Sequence, residues 1–327
     1  MSSLLVLTAS EVRELLSLDD CIAVVERAFR LYGEGKAPAP GVLGMHTQDG
    51  GFHIKAGLLD LGHFYFAAKV NGNYPDNPSR FGLPTIQGVI VLCDANNGAP
   101  LAVIDSREIT SLRTAAATAV AAKFLARQES SIATICGCGT QGYAHLRALL
   151  RVRNLQNVFA YDKNREQARA FAAHFAQERA IEVASDLASA VRQSDICVTC
   201  TTSREPLLGP DHVKAGAFIA AVGADNPHKQ ELHPLLMARA KVVCDSADQC
   251  ALMGDLHHAL EANAMKRSDV FAELGEIVAG RKPGRQTDDE ITIFDSTGMA
   301  LQDVAAAACL YEKARNLGAG MQVALAA

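Results

Sequence analysis

A glycine-rich turn between two apolar runs is the strongest chemical signal in the sequence. The run Ile132–Ile135 leads into Gly137–Gly142, which reads Gly-x-Gly-x-x-Gly, and after a helical segment the run Val158–Tyr161 ends at Asp162. These glycines allow a tight turn, a close approach of the backbone to a pyrophosphate, and close packing of helix on strand. The helix start offers N–H groups and a positive dipole end to phosphates, and an acid about 20 residues further on can accept the ribose hydroxyls. The pattern predicts dinucleotide binding; the alternative is a glycine turn that only tightens a strand–helix corner.

Three charged side chains at the ends of apolar segments could act on a substrate. Lys69 ends an apolar strand, where its ammonium must be solvated or paired, and partial burial would suit it to donate a proton. Arg113 lies in the first turns of an Ala-rich helix, where a guanidinium suits a bidentate grip on a carboxylate. Asp225 follows an apolar strand, and ligands of open α/β sheets bind at such strand ends. The plainer alternatives are a solvated lysine, a surface ion pair and a turn aspartate.

Two further polar groups carry weaker signals. Ser296–Gly298 follows the apolar run Ile291–Phe294 and has the same two interpretations as Asp225, a ligand contact or an ordinary turn. His257 and His258 lie on a predicted helix with no convincing carboxylate at metal-ligand spacing, and no role is assigned to them.

The nine cysteines are an odd number, scattered through apolar segments. They are interpreted as reduced thiols of a cytosolic protein, not as a disulfide framework. Cys197 and Cys200 form a CxxC pair, but a structural zinc site needs four ligands, and the other close pair, Cys136 and Cys138, lies in the glycine turn. The sequence therefore predicts no metal site.

Length, composition and charge exclude several classes of partner. A chain of 327 residues with 49% apolar and 20% charged residues is typical of a soluble globular protein of two domains. The net charge of −5, without a Lys/Arg stripe, argues against nucleic acid. The apolar segment Leu4–Leu7 is too short for a signal-peptide core or a membrane span. We expect a cytoplasmic protein with neither a membrane nor a nucleic-acid partner.

The elements that must position these residues change character near residue 126. Before it, the sequence predicts helices and short strands, including a hairpin of Gly88–Cys93 with Pro100–Ile104. After it, strands and helices alternate as in a doubly wound parallel sheet. The predicted fold class is α/β: a Rossmann-type doubly wound parallel sheet at 126–303, and a second α+β domain built from 1–125 with the C-terminal helix at 304–327.

Five ordered motifs, spread over nearly the whole chain, resemble those of the ornithine cyclodeaminase/μ-crystallin family. They are Lys69-Val-Asn, Arg113-Thr-Ala-Ala, Gly137–Gly142, Gly223-Ala-Asp225 with Gln230-Glu-Leu, and Ser296-Thr-Gly-Met-Ala-Leu-Gln-Asp303. The resemblance implies a homodimer whose α+β domain mediates dimerisation and binds the substrate. Members of the family include cyclodeaminases, an alanine dehydrogenase class and ketimine reductases.

The resemblance also implies roles for individual residues. Lys69 matches the catalytic lysine, Arg113 the arginine that binds the substrate carboxylate, and Asp225 the acid that faces the reacting carbon and nitrogen. The predicted cofactor residues are Thr114, Gly137, Gly139, Thr140, Gln141, Gly142, Asp162, Lys163, Arg165, Ser296, Thr297 and Gly298. Asp162 favours NAD, because its charge would repel a 2′-phosphate, while the adjacent cations Lys163 and Arg165 leave NADP open.

Two departures from the family pattern bear on the substrate. The cyclodeaminases carry a glutamate on the strand before the catalytic lysine, whereas the strand Phe52–Gly57 has no acid here. The family's early arginine is also absent around Pro38–His46, and His53 or Lys55 could take over its contact with the substrate carboxylate. A site rich in cations and without the acid suits an imino acid better than a diamino acid.

These observations predict an NAD(P)H-dependent oxidoreductase that acts on C=N bonds. The predicted reaction is reduction of a small cyclic ketimine, Δ1-pyrroline-2-carboxylate or Δ1-piperideine-2-carboxylate, to L-proline or L-pipecolate. The alternatives are ornithine or lysine cyclodeamination, an alanine-type amino-acid dehydrogenase, and a μ-crystallin-like protein that binds a small molecule without turnover.

Overall fold

The computed structural model describes residues 3–325, and the chain folds into two compact units. The first unit contains the residues up to Arg113 and those from Met299 onward, and the second is Thr114–Gly298. The sequence analysis divides the chain after residues 125 and 303, whereas the structural division falls inside the helix Ser106–Leu125 and just before the last helix.

The secondary-structure elements are as follows. The strands are β1 Ser3–Leu7, β2 Gly41–His46, β3 Gly51–Asp60, β4 Phe64–Asn73, β5 Ile86–Asp94, β6 Pro100–Asp105, β7 Ile132–Cys136, β8 Asn157–Tyr161, β9 Ile181–Val183, β10 Ile196–Thr199, β11 Arg204–Leu208, β12 Phe218–Ala221, β13 Gln230–Leu232, β14 Lys241–Cys244, β15 Ala272–Glu273, β16 Thr292–Asp295 and β17 Met321–Ala324. The helices are α1 Ala9–Leu15, α2 Leu18–Gly33, α3 Asn77–Phe81, α4 Ser106–Leu125, α5 Thr140–Val152, α6 Arg165–Phe175, α7 Leu187–Gln193, α8 Pro234–Arg239, α9 Ala247–Met253, α10 Asp255–Glu261, α11 Leu274–Val278 and α12 Ala300–Leu317, with 3-10 turns at Pro210–His212 and Arg267–Asp269.

The sheet of the first unit is mixed, in the order β17-β1-β6-β5-β4-β3-β2. Strands β2 to β6 are antiparallel neighbours, which confirms the predicted β5–β6 hairpin, and β1 runs parallel to β6. The sequence analysis did not predict β17, which follows the last helix and pairs with β1. The first unit is thus an α+β domain that includes the C-terminal helix, as predicted.

Helix α12 packs against α2 and the strands β3 and β4. It is rich in alanine and mostly buried, so its small side chains allow a close approach to the sheet. At Gly57 of β3, an added Cβ would lie 3.1 Å from Leu301 Cδ2, so glycine maintains that approach. Helix α2 buries a stripe that includes Val25 and Phe29, and burial of such side chains stabilises the fold by about 1.5–3 kcal/mol each.

The second unit contains a parallel sheet in the order β15-β14-β16-β12-β10-β7-β8-β9. Every paired strand in it runs parallel to its neighbour. The strand order reverses between β7 and β10, which is the arrangement of a Rossmann-type doubly wound sheet. The predicted fold class is therefore confirmed. Ligands of such sheets bind beyond the carboxyl ends of the strands at this reversal.

Within residues 3–325, no helix combines the length and the apolar character needed to cross a bilayer.

Candidate functional site

Strand β4 and helices α4 and α12 bring three charged side chains together inside the first unit. Lys69 Nζ donates to Asp303 Oδ1 at 2.9 Å and lies 2.8 Å from Asp303 Oδ2, and Arg113 Nε donates to Asp303 Oδ1 at 3.1 Å. Arg113 Nη1 also donates to Gln302 Oε1 at 3.0 Å. The side chains of Lys69, Arg113 and Asp303 are 4%, 6% and 2% exposed, so two cations share one carboxylate in a place that is shielded from bulk water. We call these three residues the buried triad.

The buried triad changes the protonation of its members. Burial, reinforced by the Arg113 cation, lowers the pKa of Lys69 to about 7, and Asp303 only partly opposes this effect. Burial alone would raise the pKa of Asp303, but the Arg113 and Lys69 cations hold it below its usual value. A lysine with a pKa near neutrality can donate and accept a proton under physiological conditions.

Strand β3 places Lys55 and His53 on the same face of the sheet as Lys69. Lys55 is the register partner of Lys69, and His53 is the register partner of Asn71. Directly opposite residues of antiparallel strands share one face of the sheet, so Lys55 and His53 lie on the face that carries Lys69. Lys55 lowers the pKa of both Lys69 and Asp303 by its charge. The structure thus groups the predicted substrate-binding residues His53, Lys55 and Arg113 with Lys69 in one unit.

The glycine loop of the second unit has the geometry that a dinucleotide requires. Gly137 has φ +100°, and an added Cβ would lie 2.8 Å from Cys200 O. At Gly142 the added atom would lie 2.3 Å from Gly137 O, whereas at Gly139 it would meet only Gln167 Nε2, at 3.6 Å. Helix α5 begins at Thr140, and its N-cap, Gly139, has no side chain to occupy the N–H groups of the first turn. The loop therefore fits a pyrophosphate at Gly139 and the start of α5.

A cavity of about 310 Å³ lies beside this loop, at the carboxyl ends of β7 and β10. Its lining comprises Cys136, Gly137, Gly139, Tyr161, Asp162, Lys163, Gln167, Cys200, Thr201, Thr202, Ser203 and Leu207. Asp162 accepts hydrogen bonds from Cys138 N and Asn164 N, both at 2.9 Å, so the end of β8 is fixed to the glycine loop. The predicted residues Gly137, Gly139, Asp162 and Lys163 line this cavity.

The other predicted cofactor residues are not part of the cavity lining. Thr140, Gln141 and Gly142 belong to the first turn of α5, Arg165 begins α6, and Thr114 lies on α4. Sequence reasoning in turn missed Cys200–Ser203, which line the cavity. A usable signal was present, because this polar segment directly follows β10, the strand next to the reversal point.

Asp225 lies on the loop after β12, at the carboxyl edge of the sheet. Its carboxylate is 48% exposed and accepts a hydrogen bond from Lys229 Nζ at 2.7 Å. The position is the one predicted, and the contact is a local ion pair within the same turn. The assignment of Asp225 to the reacting atoms remains a prediction.

A second buried acid, Glu231, holds the loops at this edge of the sheet. Its Oε1 accepts from Thr201 N at 2.6 Å and from Thr201 Oγ1 at 2.7 Å, and its Oε2 accepts from Gly223 N at 2.8 Å. The loops after β10 and β12 are therefore joined by one carboxylate. Sequence reasoning quoted Gln230-Glu-Leu as a motif without assigning Glu231 a role.

The segment Ser296–Gly298 is fixed by another buried acid, Asp245. Ser296 Oγ and Gly298 N donate to Asp245 Oδ2 at 2.9 and 2.6 Å, and Gln249 Nε2 donates to Thr297 Oγ1 at 2.9 Å. The loop after β16 is thus held at the carboxyl ends of the strands. Its predicted contact with the nicotinamide remains a prediction.

Two more carboxylates complete a set of buried acids in the second unit. Asp255 Oδ1 accepts from Glu231 N and Leu232 N, both at 2.8 Å, and Asp295 Oδ2 accepts from Leu256 N at 2.8 Å. Burial raises the pKa of Asp255, of Asp295 and of Glu231. We call Glu231, Asp245, Asp255 and Asp295 the buried acid set.

Cys250 and the two adjacent histidines make structural contacts. Among the described residues, the potential metal-ligand atoms within 4.8 Å of one another belong to Cys244, Cys250 and Asp295, not to the CxxC pair. Cys250 Sγ donates to Asp245 Oδ1 at 3.4 Å and to Asp295 O at 3.3 Å, and burial raises its pKa, so it acts as a thiol donor. His257 and His258 bond the carbonyls of Ala251 and Lys229.

Comparison with known proteins agrees with this geometry. Residues 3–318 match the ornithine cyclodeaminase/mu-crystallin family. An archaeal alanine dehydrogenase dimer with bound NAD is 40% identical, with a TM-score of 0.95 over 99% of this chain and 100% of that one. Δ1-pyrroline-2-carboxylate reductase of Thermococcus litoralis, in complex with NADH and L-proline, is 34% identical, with a TM-score of 0.93 over 98% and 100%. Iminosuccinate reductase of Paracoccus denitrificans, in complex with NAD+, is 31% identical, with a TM-score of 0.90 over 99% and 100%. These relatives confirm the predicted family, the oxidoreductase class and NAD as the cofactor class.

Proposed function

This chain belongs to the ornithine cyclodeaminase/mu-crystallin family, and from that premise we propose that it reduces a small cyclic ketimine with NADH. The substrate would be Δ1-pyrroline-2-carboxylate or Δ1-piperideine-2-carboxylate, and the product L-proline or L-pipecolate. The observation that carries the proposal is the buried triad, in which a lysine of near-neutral pKa lies beside an arginine that can bind a carboxylate.

The buried triad supplies both groups that the reaction needs from the protein. The Arg113 guanidinium binds the substrate carboxylate through its planar set of N–H donors and so fixes the imine carbon. Lys69 donates a proton to the imine nitrogen, and Asp225 holds the resulting N–H by a hydrogen bond. When NADH is bound, it supplies the hydride that the imine carbon accepts. The imine thus gains one hydride and one proton and becomes a secondary amine.

The second unit supports NAD as the preferred cofactor. Glycines 137 and 139 and the start of α5 hold the pyrophosphate, and Asp162 accepts the ribose hydroxyls. Asp162 lines the cavity, and its negative charge there opposes a 2′-phosphate. Lys163 also lines the cavity, which leaves measurable use of NADP open.

An apolar surface of the first unit supports a homodimer. Strand β2 is at one edge of its sheet, and large apolar side chains on β2 and near α3 are exposed: Val42, Leu43, Met45, Phe81 and Leu83, at 39–63%. An exposed edge strand with apolar side chains is the kind of surface that a partner subunit covers. The archaeal relative was solved as a dimer. Light scattering at micromolar concentration should give twice the 34.7 kDa mass of the chain.

A specific observation favours a second candidate, an alanine-type dehydrogenase. The archaeal alanine dehydrogenase is 40% identical over nearly the whole chain. That reaction passes through the imine of a 2-oxo acid, which the same arginine and lysine could bind and protonate. The two candidates differ in whether the imine is a ring supplied from outside or forms from an oxo acid and ammonia.

An initial-rate panel separates these functions. Purified protein is assayed for NADH oxidation with the five- and six-membered ketimines and with pyruvate plus ammonia, and for ammonia release from ornithine without added reductant. We expect the largest kcat/KM with a cyclic ketimine. A higher value with pyruvate and ammonia would select the dehydrogenase, and ammonia release would select a cyclodeaminase. Tight ligand binding without any NADH oxidation would select a binding protein.

A further inference from the structure

Asp303 occupies a central place in the buried triad that sequence reasoning left without a role. One oxygen, Oδ1, accepts hydrogen bonds from both Lys69 and Arg113, at 2.9 and 3.1 Å, and the other oxygen lies 2.8 Å from Lys69 Nζ. Asp303 is the first-turn acid of α12, and the turns that follow it, Val304–Ala308, are buried and apolar. A single carboxylate therefore sets the distance between two cations on two other elements.

Stability alone does not account for a buried ionic group in such a helix. Desolvation of buried charges offsets most of their mutual attraction, and apolar residues of similar volume are often as stabilising. Two cations without an acid between them would repel each other and favour loss of a proton from Lys69. Asp303 opposes that loss, since its charge raises the proton affinity that Arg113 and Lys55 reduce.

We propose that Asp303 is a positioning residue: its carboxylate holds the Lys69 ammonium and the Arg113 guanidinium so that the proton donor and the carboxylate-binding group address one substrate. This inference rests on the proposed function, because it assigns Asp303 to the reaction of Lys69 and Arg113. Asp303 neither accepts the hydride nor exchanges a proton with the substrate. It keeps Lys69 protonated at the pH of turnover.

The charged groups around Lys69 define what a substitution at Asp303 should do. They are Lys55 on β3, Arg113 on α4 and Asp303 on α12, and the Cys21 thiol on α2 interacts with the last two. Among these four groups, Asp303 alone carries a negative charge. Asp303→Asn keeps the shape and removes the charge, so the pKa of Lys69 should fall by about 1–3 units, as is usual for the loss of an adjacent opposite charge.

The first test is the pH dependence of ketimine reduction. In the wild-type protein, kcat/KM should decline as Lys69 loses its proton above neutral pH. In Asp303→Asn this decline in kcat/KM should begin at least about one pH unit lower, so kcat/KM at pH 8 should be about tenfold below the wild-type value. Asp303→Glu retains the negative charge but moves the carboxylate by one methylene group. This variant should show the wild-type pH profile with a lower kcat. The matched control is Glu312→Gln, which removes another carboxylate of α12, one that accepts a hydrogen bond from Tyr65 Oη. This variant should leave the pH profile unchanged.

The second test does not depend on turnover. The titration of Lys69 is followed by NMR of the protein labelled with ¹³C at lysine Cε, with Lys69→Gln to assign the signal. A lower pKa of Lys69 in Asp303→Asn, together with an unchanged pKa in Glu312→Gln, would support the inference. This result would hold even if the protein reduced no imine, and then only the proposed function would fail. An unchanged Lys69 titration in a folded Asp303→Asn variant would overturn it. If that variant does not fold, wild-type kcat in Asp303→Glu would overturn it instead.

Discussion

The two units bury carboxylates in opposite ways. In the first unit, Asp303 is neutralised by the side chains of Lys69 and Arg113, and these cations hold its pKa below the usual value. In the second unit, the buried acid set is bonded mainly by backbone N–H groups and hydroxyls, as Glu231 is by Thr201 and Gly223, and burial raises the pKa of Glu231.

The difference indicates different tasks. A guanidinium has five N–H donors and can bind more than one anion, so in the proposed reaction Arg113 can bind a substrate carboxylate while its Nε stays bonded to Asp303. Backbone N–H groups cannot move away without a change of the loop, so Glu231 and Asp245 fix the loops at the carboxyl ends of the strands. The first unit thus carries side-chain charges that can interact with a ligand, and the second carries a fixed frame of loops at the carboxyl ends of the strands.

Removal of the lysine should produce the largest effect on the first unit's chemistry. Lys69→Ala should lower kcat/KM for ketimine reduction by about 10²–10⁴-fold, because a positioned proton donor contributes about that much. NADH affinity, measured by fluorescence titration, should stay within about twofold. Lys36→Ala is the control, since Lys36 is 66% exposed and pairs with Glu34. A rate within twofold of wild type in Lys69→Ala would remove Lys69 from the mechanism.

The fixed frame of the second unit can be tested at Glu231. Glu231→Gln should lower the free energy of unfolding by about 2–3 kcal/mol, since hydrogen bonds to a buried charge are lost and donors are left facing an amide. It should also weaken NADH binding, because Thr201 lines the cofactor cavity. Urea unfolding and NADH titration measure the two effects, with the exposed Glu205→Gln as control. Loss of activity without either effect would contradict a framing role.

The contributions of Lys69 in the first unit and Asp295 in the second to the pH dependence of stability should have opposite signs. Lys69 has a folded pKa of about 7 against an ordinary value of 10.5, so the folded state binds fewer protons at this residue, and the contribution of Lys69 to stability should rise between pH 7 and about 10. Asp295 has a raised folded pKa, so the folded state binds more protons and stability should fall as the pH rises from about 4.

Each of these slopes is at most about 1.4 kcal/mol per pH unit. Urea unfolding from pH 4.5 to 9.5 measures them. Relative to wild type, Lys69→Met should make the slope of stability between pH 7 and 9.5 less positive, and Asp295→Asn should make the slope above pH 4 less negative. Identical pH profiles in wild type and both variants would contradict the assignments.

The smallest expected change concerns cofactor choice. Asp162→Asn should raise the kcat/KM ratio of NADPH to NADH by about tenfold, since the charge that opposes a 2′-phosphate is removed while Lys163 remains. The kcat at saturating NADH should be unchanged, which serves as the internal control. An unchanged ratio would mean that Asp162 acts only through its bonds to Cys138 N and Asn164 N.

The elements that depend on local pattern could be predicted from the amino-acid sequence. The apolar runs and the spacing of Gly137, Gly139 and Gly142 encode a strand, a turn and a helix within about 30 residues. The alternation that follows specifies a parallel sheet, and the hairpin of β5 and β6 follows from two strands joined by a short turn. Asp162 was found because it directly follows such an element, β8. The sequence analysis also placed Lys69 and Arg113 at the ends of elements, but they lie inside β4 and α4, because both elements extend beyond their apolar runs.

Which charges come into contact depends on how the elements pack and could not be predicted from local pattern. Lys69 and Asp303 are 234 positions apart, and no local period relates them, so the buried triad arises from the packing of α12 on the sheet of the first unit. The same holds for Glu231, which joins loops that follow two different strands. Local sequence sets the turn or strand at each position, whereas the partner of a buried charge depends on which elements pack against it.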